Sequence, residues 1–319
     1  MYRVISVSGL MRTAGVNHKG KIIVNEQMSG LEPNPRDDWL YLGLLSIRDI
    51  AGNKKHNISS IANIGSGNGI ETIAELKLFK NIKKITVTDI IPDILPQIKR
   101  NVEQNVPKEA AKVKIKYVHG RDCEPLNEKA DFIYANLPLI MVNSSELRKN
   151  LATTTLTEAN HYSHLSKDEH DVLKKYSLLS QLGFLLSAKK KLNMNGIIIT
   201  LLGGRVPQSA LTELFKRAGL KHKELYCAFK LQSDPQFLKQ YAEYEKTENV
   251  QFDFYDYPKA AKILRERLKT KVPDIVQNCS GEELKKLIIS THLNAKEAYQ
   301  MAKKGRKIGH LAFAFKVYR

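Results

Sequence analysis

Long apolar runs, closely spaced cysteines and acidic residues are all scarce in this chain of 319 residues. No apolar run approaches the roughly 20 residues that a transmembrane helix needs, so we expect no membrane-spanning segment and no membrane partner. The first residues lack a long apolar core and a small-residue cleavage site, which argues against a signal peptide. Only three cysteines are present, Cys123, Cys227 and Cys279, and their scatter excludes a disulfide framework and a metal-spaced pair. These absences favour a reducing, cytoplasmic location.

The shortage of acidic residues leaves the chain strongly basic. It has 51 Lys and Arg against 33 Asp and Glu, for a formal net charge of +18. Such a balance suits polyanion partners, with nucleic acid first among them. The basic residues are spread along the chain, and runs such as residues 189–191 are short. A lysine-rich solvated surface therefore explains the charge as well, and nucleic acid is kept as one candidate partner.

From about residue 56, strand-like and helix-like segments alternate along the chain. The predicted strands are 60–64, 84–88, 113–118, 130–135, 196–202 and 223–231, and the predicted helices are 70–80, 92–105, 168–193 and 207–218. Alternation of this kind predicts an α/β fold, with a mostly parallel sheet covered by helices on both faces.

The flanking segments have different patterns. Residues 2–7 and 21–24 predict an N-terminal hairpin, and a helix over 39–49 begins after Asp37 or Asp38 as its cap. Residues 235–305 are charged and helical, and an apolar strand, 311–317, follows them. We therefore divide the chain into an N-terminal segment (1–55), a main domain (56–234 and 306–319) and a helical insertion (235–305). The insertion is expected to act as a substrate cap.

The most informative segment is Ile-Ala-Asn-Ile-Gly-Ser-Gly-Asn-Gly at residues 61–69. A short apolar strand runs into three glycines, and a helical pattern follows. This order favours a nucleotide-binding loop, in which glycine permits the tight turn and the close approach of a ligand. A glycine triplet alone fits a plain turn equally well.

Polar residues also end the next three predicted strands. Asp89 is placed to accept hydrogen bonds from ribose hydroxyls, although it also fits the cap of the following helix. Asp122, after the third strand, either accepts from an adenine amine or is merely solvated. The fourth strand leads into Asn136-Leu137-Pro138, which stands where open sheets bind ligands but also fits a turn.

Taken together, these motifs resemble class I S-adenosylmethionine-dependent methyltransferases. More narrowly, they are similar to the amide- and amino-methylating branch that carries an Asn-Pro-Pro-Tyr motif. The resemblance covers residues 33–234 and 306–319. It implies a Rossmann-like, doubly wound sheet of seven strands, in which the antiparallel last strand lies between strands five and six. It also implies S-adenosylmethionine (SAM) as the cofactor.

The resemblance also implies roles for particular residues. The cofactor would be bound by Asn63, Gly65, Gly67, Gly69, Asp89, Ile90, Asp122, Cys123 and Asn136. Catalysis would fall to Asn136, Leu137 and Pro138, with the Asn136 carboxamide and the Leu137 carbonyl facing the acceptor nitrogen. The chain departs from the family pattern at Asn63, where most relatives have an acid. It also departs at Leu137 and Leu139, where they have a proline and an aromatic residue.

Four residues are candidate substrate contacts: Arg36, Asp37, Tyr162 and Tyr255. Tyr255 belongs to the aromatic and acidic segment 252–257, for which ordinary core packing is the alternative. The neighbouring histidines 161, 164 and 170 fit an exposed loop, and we expect no metal site.

The function expected from this resemblance is transfer of a methyl group to a side-chain amide or amine nitrogen. The acceptor would be a peptide, a protein or a small metabolite. One alternative is an adenine-N6 methyltransferase acting on RNA or DNA. Another is a SAM-binding protein that is non-catalytic or transfers the aminobutyl group of the cofactor.

Overall fold

The structure is a computed structural model that describes residues 2–28, 30–137, 161–269, 275–276 and 279–319. Its strands in chain order are β1 (Arg3–Ser6), β2 (Lys21–Val24), β3 (Ser60–Ile64), β4 (Lys84–Asp89), β5 (Lys114–His119), β6 (Ala130–Ala135), β7 (Leu192–Gly203), β8 (Lys221–Leu231), β9 (Phe254–Asp256), β10 (Ile275–Val276), β11 (His292–Leu293) and β12 (Ile308–Tyr318).

Helices separate these strands. In chain order they are α1 (Ser8–Thr13), α2 (Trp39–Gly52), α3 (Ile70–Leu78), α4 (Leu95–Glu103), α5 (Val172–Lys175), α6 (Leu179–Lys191), α7 (Gln208–Ala218), α8 (Pro235–Glu248), α9 (Tyr257–Leu268), α10 (Gly281–Leu287) and α11 (Ala295–Lys303). Short 3-10 turns occur at Pro92–Ile94, Lys108–Ala110, Ser163–Leu165 and Ile289–Thr291.

The main sheet has the strand order β10-β8-β12-β7-β6-β3-β4-β5. Strands β7, β6, β3, β4 and β5, which are adjacent in that order, pair with one another in parallel. Strand β12 lies between β7 and β8 and is antiparallel to both. The expected α/β fold is confirmed, including the position of the reversed last strand.

Apolar residues line both faces of this sheet because side chains alternate along each strand. On β3, Ile61 belongs to one buried cluster, whereas Ala62 and Ile64 belong to the other. Helices α2, α3 and α4 cover the first face, and α6 and α7 cover the second. Parallel strands covered on both faces are mostly apolar, as β3 and β6 are apart from Ser60, Asn63 and Asp131.

Three details differ from the sequence predictions. Helix α1 separates β1 from β2, so these strands pair antiparallel without forming a simple hairpin. The single helix expected over 168–193 is two helices, and Ser177 between them has a φ of +52°. The insertion is helical as expected, but it also contributes β10 to the sheet edge, β9, which pairs with β12, and β11, which pairs with β9.

The N-terminal segment packs against the main sheet. Nine residues of α2 are buried, and its apolar residues share a core with β3 and β4. The division of the chain into three domains stays a prediction. None of the helices in the described parts of the chain is long and apolar enough to span a bilayer.

Candidate functional site

The glycine loop, residues 65–69, meets the end of β6 at the carboxyl edge of the sheet. Ile64 pairs with Ala135 in the parallel register of β3 and β6, which places Gly65 beside Asn136. Gly65 has a φ of +64°, and a Cβ added there would lie 2.7 Å from Cδ2 of Leu137. The two motifs singled out in the sequence are therefore in contact, and only glycine fits at position 65.

Asp89 joins the end of β4 to this loop. Its Oδ2 accepts a hydrogen bond from the Gly67 N–H and its Oδ1 accepts one from the Ile91 N–H, both at 3.0 Å. Burial raises the pKa of Asp89, and the backbone donors partly offset that effect. A Cβ added at Gly67 would meet no atom within 4 Å. The loop is therefore open beside the Gly67 Cα, and the Asp89 carboxylate contacts the loop through the Gly67 N–H.

Asp122 lies at the end of the neighbouring strand, in a left-handed backbone conformation with a φ of +48°. The Tyr162 hydroxyl donates a hydrogen bond to Asp122 Oδ2 at 2.8 Å. Burial raises the pKa of Asp122 to about 6. The Tyr162 ring is buried against α6, where a Cβ on Gly183 would come within 2.2 Å of it. Tyr162, expected to contact substrate, thus orients a residue expected to contact the cofactor.

Two further residues expected at the cofactor are Ile90, directly after Asp89, and Cys123, directly after Asp122. The Ile90 carbonyl is 3.1 Å from Nε2 of His119. Cys123 is fully buried, and its backbone N–H donates to Oγ of Ser187 at 3.1 Å. Burial raises the pKa of the Cys123 thiol, so this side chain is a neutral part of the core.

Asn63 points away from the open side of the loop, into a buried polar cluster. Its Nδ2 donates to Thr72 Oγ1 at 2.9 Å and to Glu75 Oε2 at 3.2 Å. Burial raises the pKa of Glu71 to about 7 and that of Glu75 well above its ordinary value. The chain thus lacks an acid at position 63 but has two buried acids on α3, Glu71 and Glu75. Sequence reasoning missed both, although their four-residue spacing places them on one side of that helix.

Asn136 lies directly after the end of β6. It is half-buried, and its side chain makes no hydrogen bond with any residue in the described ranges. The carbonyl of Leu137 is 3.5 Å from Nε2 of Gln181. An amide oxygen and a carbonyl oxygen at this edge are both hydrogen-bond acceptors. Pro138, the third expected catalytic residue, lies outside the described residues.

The candidate substrate segment around Arg36 lies at the same edge of the sheet. Nζ of Lys230, at the end of β8, donates to the carbonyls of Arg36 and Asp38 at 2.9 and 2.7 Å. Oδ2 of Asp37 accepts from Asn34 at 2.8 Å. Asp38 caps α2 through the Leu40 N–H at 2.9 Å, which resolves the choice of cap between the two aspartates.

A buried cationic group that sequence reasoning missed lies next to this segment. Arg205 follows β7, and its Nη1 is 3.4 Å from Nε2 of His310 on β12. The Trp39 ring stacks on His310 at 5.8 Å between centroids. Burial and the nearby cations lower the pKa of His310 well below its usual value, so its imidazole is neutral. The only sequence signal was the Gly203-Gly204-Arg205 sequence at the end of an apolar strand.

Tyr255, the last candidate substrate contact, lies in the core. Its ring is buried and packs edge-on against Phe229 and His292. The acids on either side of it are ion-paired: Asp253 with Lys285 and His292, and Asp256 with Arg306 and Lys259. Core packing, the alternative given above for this segment, is what the structure shows here.

Within the described residues, no three His, Cys, Asp or Glu side chains are grouped so as to hold a metal ion.

No protein-family model matches the sequence, and neither does any curated protein. Among solved structures, the chain is similar to a ribosomal protein L11 methylase from Lactobacillus delbrueckii subsp. bulgaricus, with 17% identity and a TM-score of 0.40 over 61% of this chain and 77% of that one. It is similar to a precorrin-6y C5,15-methyltransferase from Geobacter metallireducens GS-15, with 14% identity and a TM-score of 0.37 over 64% and 83%. It is also similar to a precorrin 8w decarboxylase from Methanobacterium thermoautotrophicum, with 13% identity and a TM-score of 0.38 over 68% and 88%. Similarities of this size carry no argument about activity, and the functional assignment rests on the site itself.

Proposed function

We propose that this protein is a SAM-dependent methyltransferase that acts on a side-chain amide or amine nitrogen of a peptide, protein or small metabolite. The observation that carries the proposal is the contact between the glycine loop and the end of β6. Gly65 lies against Leu137, beside Asn136, whose carboxamide makes no hydrogen bond with the described residues.

The residues at this edge suit a nucleoside cofactor. The Asp89 carboxylate accepts backbone N–H groups, among them those of Gly67 and Ile91, and it has a further lone pair for a ribose hydroxyl. Asp122, held by Tyr162, offers an acceptor for an adenine amine. Gly67 leaves open space on the side of the loop that faces away from the core. In this proposal, SAM supplies an activated methyl group on a sulfonium sulfur.

Asn136 would orient the acceptor. An amide or conjugated amine nitrogen carries two N–H groups, and both need acceptors once water is excluded. The Asn136 carboxamide oxygen and the Leu137 carbonyl would accept them. Fixing the N–H groups fixes the direction of the nitrogen lone pair, which is the main contribution that positioning makes to the rate. No general base is required in this arrangement, because the proton can leave after transfer.

The first test is the variant Asn136→Ala. We expect transfer of labelled methyl groups into size-fractionated cell extract to fall by roughly 10²- to 10³-fold, as on loss of a transition-state hydrogen-bond partner. Affinity for S-adenosylhomocysteine (SAH), measured by calorimetry, should stay near the wild-type value. Asn81→Ala is the matched control, because Asn81 is exposed and pairs only with Asn57 among the described residues. That control should leave both quantities unchanged.

Several outcomes would contradict the proposal. Undiminished transfer by Asn136→Ala would make Asn136 a turn residue. Tight binding of NAD without binding of SAM or SAH would indicate a different nucleotide-binding function. Label in a product that RNase destroys and protease spares would favour the adenine-methylating alternative instead.

A further inference from the structure

Arg205 is a buried cation without an anionic partner among the residues that the structure describes. Only 4% of its surface is exposed, and none of the ion pairs found in those residues includes it. Its Nε is buried and has no hydrogen-bond partner among the described residues. A buried charge costs several kcal/mol unless an opposite charge or hydrogen bonds offset that cost. A free energy of that size needs an explanation.

The immediate surroundings of Arg205 stabilise its position but do not neutralise it. Nδ1 of His310 is 2.8 Å from the Leu311 carbonyl, so Nδ1 carries the proton and Nε2 accepts from Arg205. The guanidinium carbon lies 5.2 Å from the centre of the Phe237 ring and 5.1 Å from that of Tyr241. Aromatic faces attract a cation and tolerate its burial. A Cβ on Gly203 would come 3.0 Å from Nη2, so glycine makes room for the guanidinium.

The position of Arg205 places it on the acceptor side of the proposed active site. Thr200 of β7 is level with Ala135 of β6, so Leu201 is level with Asn136. Arg205 is four residues farther along, above the same edge of the sheet and within roughly 13 Å along the strand direction. His310 pairs with Lys230 across β12 and β8, and Lys230 holds the Arg36–Asp38 backbone.

We propose that Arg205 is the binding residue for a carboxylate group carried by the methyl acceptor, with the aromatic rings of Phe237 and Tyr241 beside it. A carboxylate matches one guanidinium in charge and accepts two parallel N–H bonds from it. A phosphate dianion would bring a second negative charge, and Lys230 is already engaged by two carbonyls. That the anion belongs to the methyl acceptor rests on the function proposed above.

Calorimetry with benzoate, benzamide and inorganic phosphate tests this proposal on the full chain, with and without SAH. We expect benzoate to bind the wild type and benzamide, its neutral counterpart, to bind far more weakly. Arg205→Gln should weaken benzoate binding about 10- to 100-fold, the effect of losing a charged hydrogen-bond partner, and Arg205→Lys should recover part of that loss. SAH affinity, measured on the same samples, should not change.

The control is Arg217→Met. Arg217 is also largely buried, but it is paired with Asp171 at 2.7 Å. Its loss should lower the melting temperature and leave benzoate affinity unchanged. In contrast, Arg205→Met should be at least as stable as the wild type without ligand, because it removes a buried charge that no acid among the described residues pairs with.

Equal affinity for benzoate and benzamide, or benzoate binding that ignores Arg205, would overturn the carboxylate site. Binding of phosphate through Arg205 in place of benzoate would overturn it as well. A marked fall in the melting temperature of Arg205→Met would make Arg205 a structural residue. Failure of SAH to bind the wild type would count against the proposed function alone, since benzoate is also titrated without SAH.

Discussion

At the scale of single residues, the candidate site depends on glycines with positive φ and on ionisable groups whose pKa values are shifted by burial. The glycines and the strand-end acids were predictable because the motif fixes both their type and their spacing. Arg205, Glu71 and Glu75 were not, because a charged residue in a sequence does not reveal whether tertiary packing will bury it. Asn63 shows the same limit, because the sequence gives the residue type but not the direction in which its side chain points beneath the loop.

Gly65→Ala tests the backbone of the loop. A residue with a Cβ at a φ of +64° costs about 1 to 2 kcal/mol, and the added atom would overlap Leu137. We expect a melting temperature lower by several degrees and at least a tenfold loss of SAH affinity. Gly52→Ala is the control, since no atom lies within 4 Å of a Cβ there. A Gly65→Ala variant that matches this control in both measurements would show that the loop is not constrained as described.

Glu71→Gln tests the buried acids. The folded-state pKa of Glu71 is raised to about 7 by burial, from an ordinary value of 4.5. The folded protein therefore binds this proton more tightly, and the associated stability, present below about pH 4.5, is lost as the pH rises to 7. The glutamine variant should remove the contribution of Glu71 to this pH dependence. At pH 8 its free energy of unfolding, measured by urea denaturation, should be higher than that of the wild type by up to about 3 kcal/mol. The control Glu266→Gln, on the surface of α9, should leave the pH dependence of stability unchanged. If the pH dependence of Glu71→Gln equals that of the wild type, Glu71 is not a buried neutral acid.

At the scale of helices and strands, the sequence predicted most of the central sheet. Strands β3 and β6 have the predicted bounds, and β4, β5 and β8 differ by one or two residues at an end. Prediction failed where no local residue marks the change of direction. Ser177 breaks a helical pattern without glycine or proline nearby, and α1 interrupts what looked like a hairpin.

One side chain of α4 connects the N-terminal strands to the glycine loop. Asn101 is fully buried; its Nδ2 donates to the carbonyls of Ile23 and Asn68, and its Oδ1 accepts from the Ile23 N–H at 2.8 Å. Asn101→Ala leaves these buried groups unpaired, which should cost about 2 to 4 kcal/mol in urea denaturation. It should also weaken SAH binding, because Asn68 belongs to the loop. Lys99→Ala, on the exposed side of α4, should stay within about 0.5 kcal/mol of wild type; equal effects of the two variants would contradict this connection.

At the scale of the whole molecule, a single sheet with an apolar core on each face holds the protein together. The net charge of +18 is a property of the surface, and by itself it does not choose between a nucleic acid and a carboxylate-bearing acceptor. The position of β12 between β7 and β8 followed from the family resemblance and not from periodicity, because an apolar strand does not reveal which strands it will join.

A variant that ends at residue 306 tests how far the sheet depends on β12. Every β12 residue from 308 to 315 is buried, and the strand pairs along both of its edges. We expect this variant to lose its near-ultraviolet circular dichroism, its sharp thermal transition and its SAH binding. A truncated protein that keeps these three properties would show that β7 and β8 close the sheet without β12.

The same arrangement sets the order of events during synthesis. Strand β8 ends at Leu231 and β12 begins at Ile308, so roughly 75 residues are translated between them, which takes about 4 to 15 seconds at ordinary ribosomal rates. During that interval the facing edges of β7 and β8 carry unpaired backbone groups, and unpaired edges are sites of aggregation. We therefore expect a newly made chain to be most prone to aggregation just before the central gap in its sheet is filled.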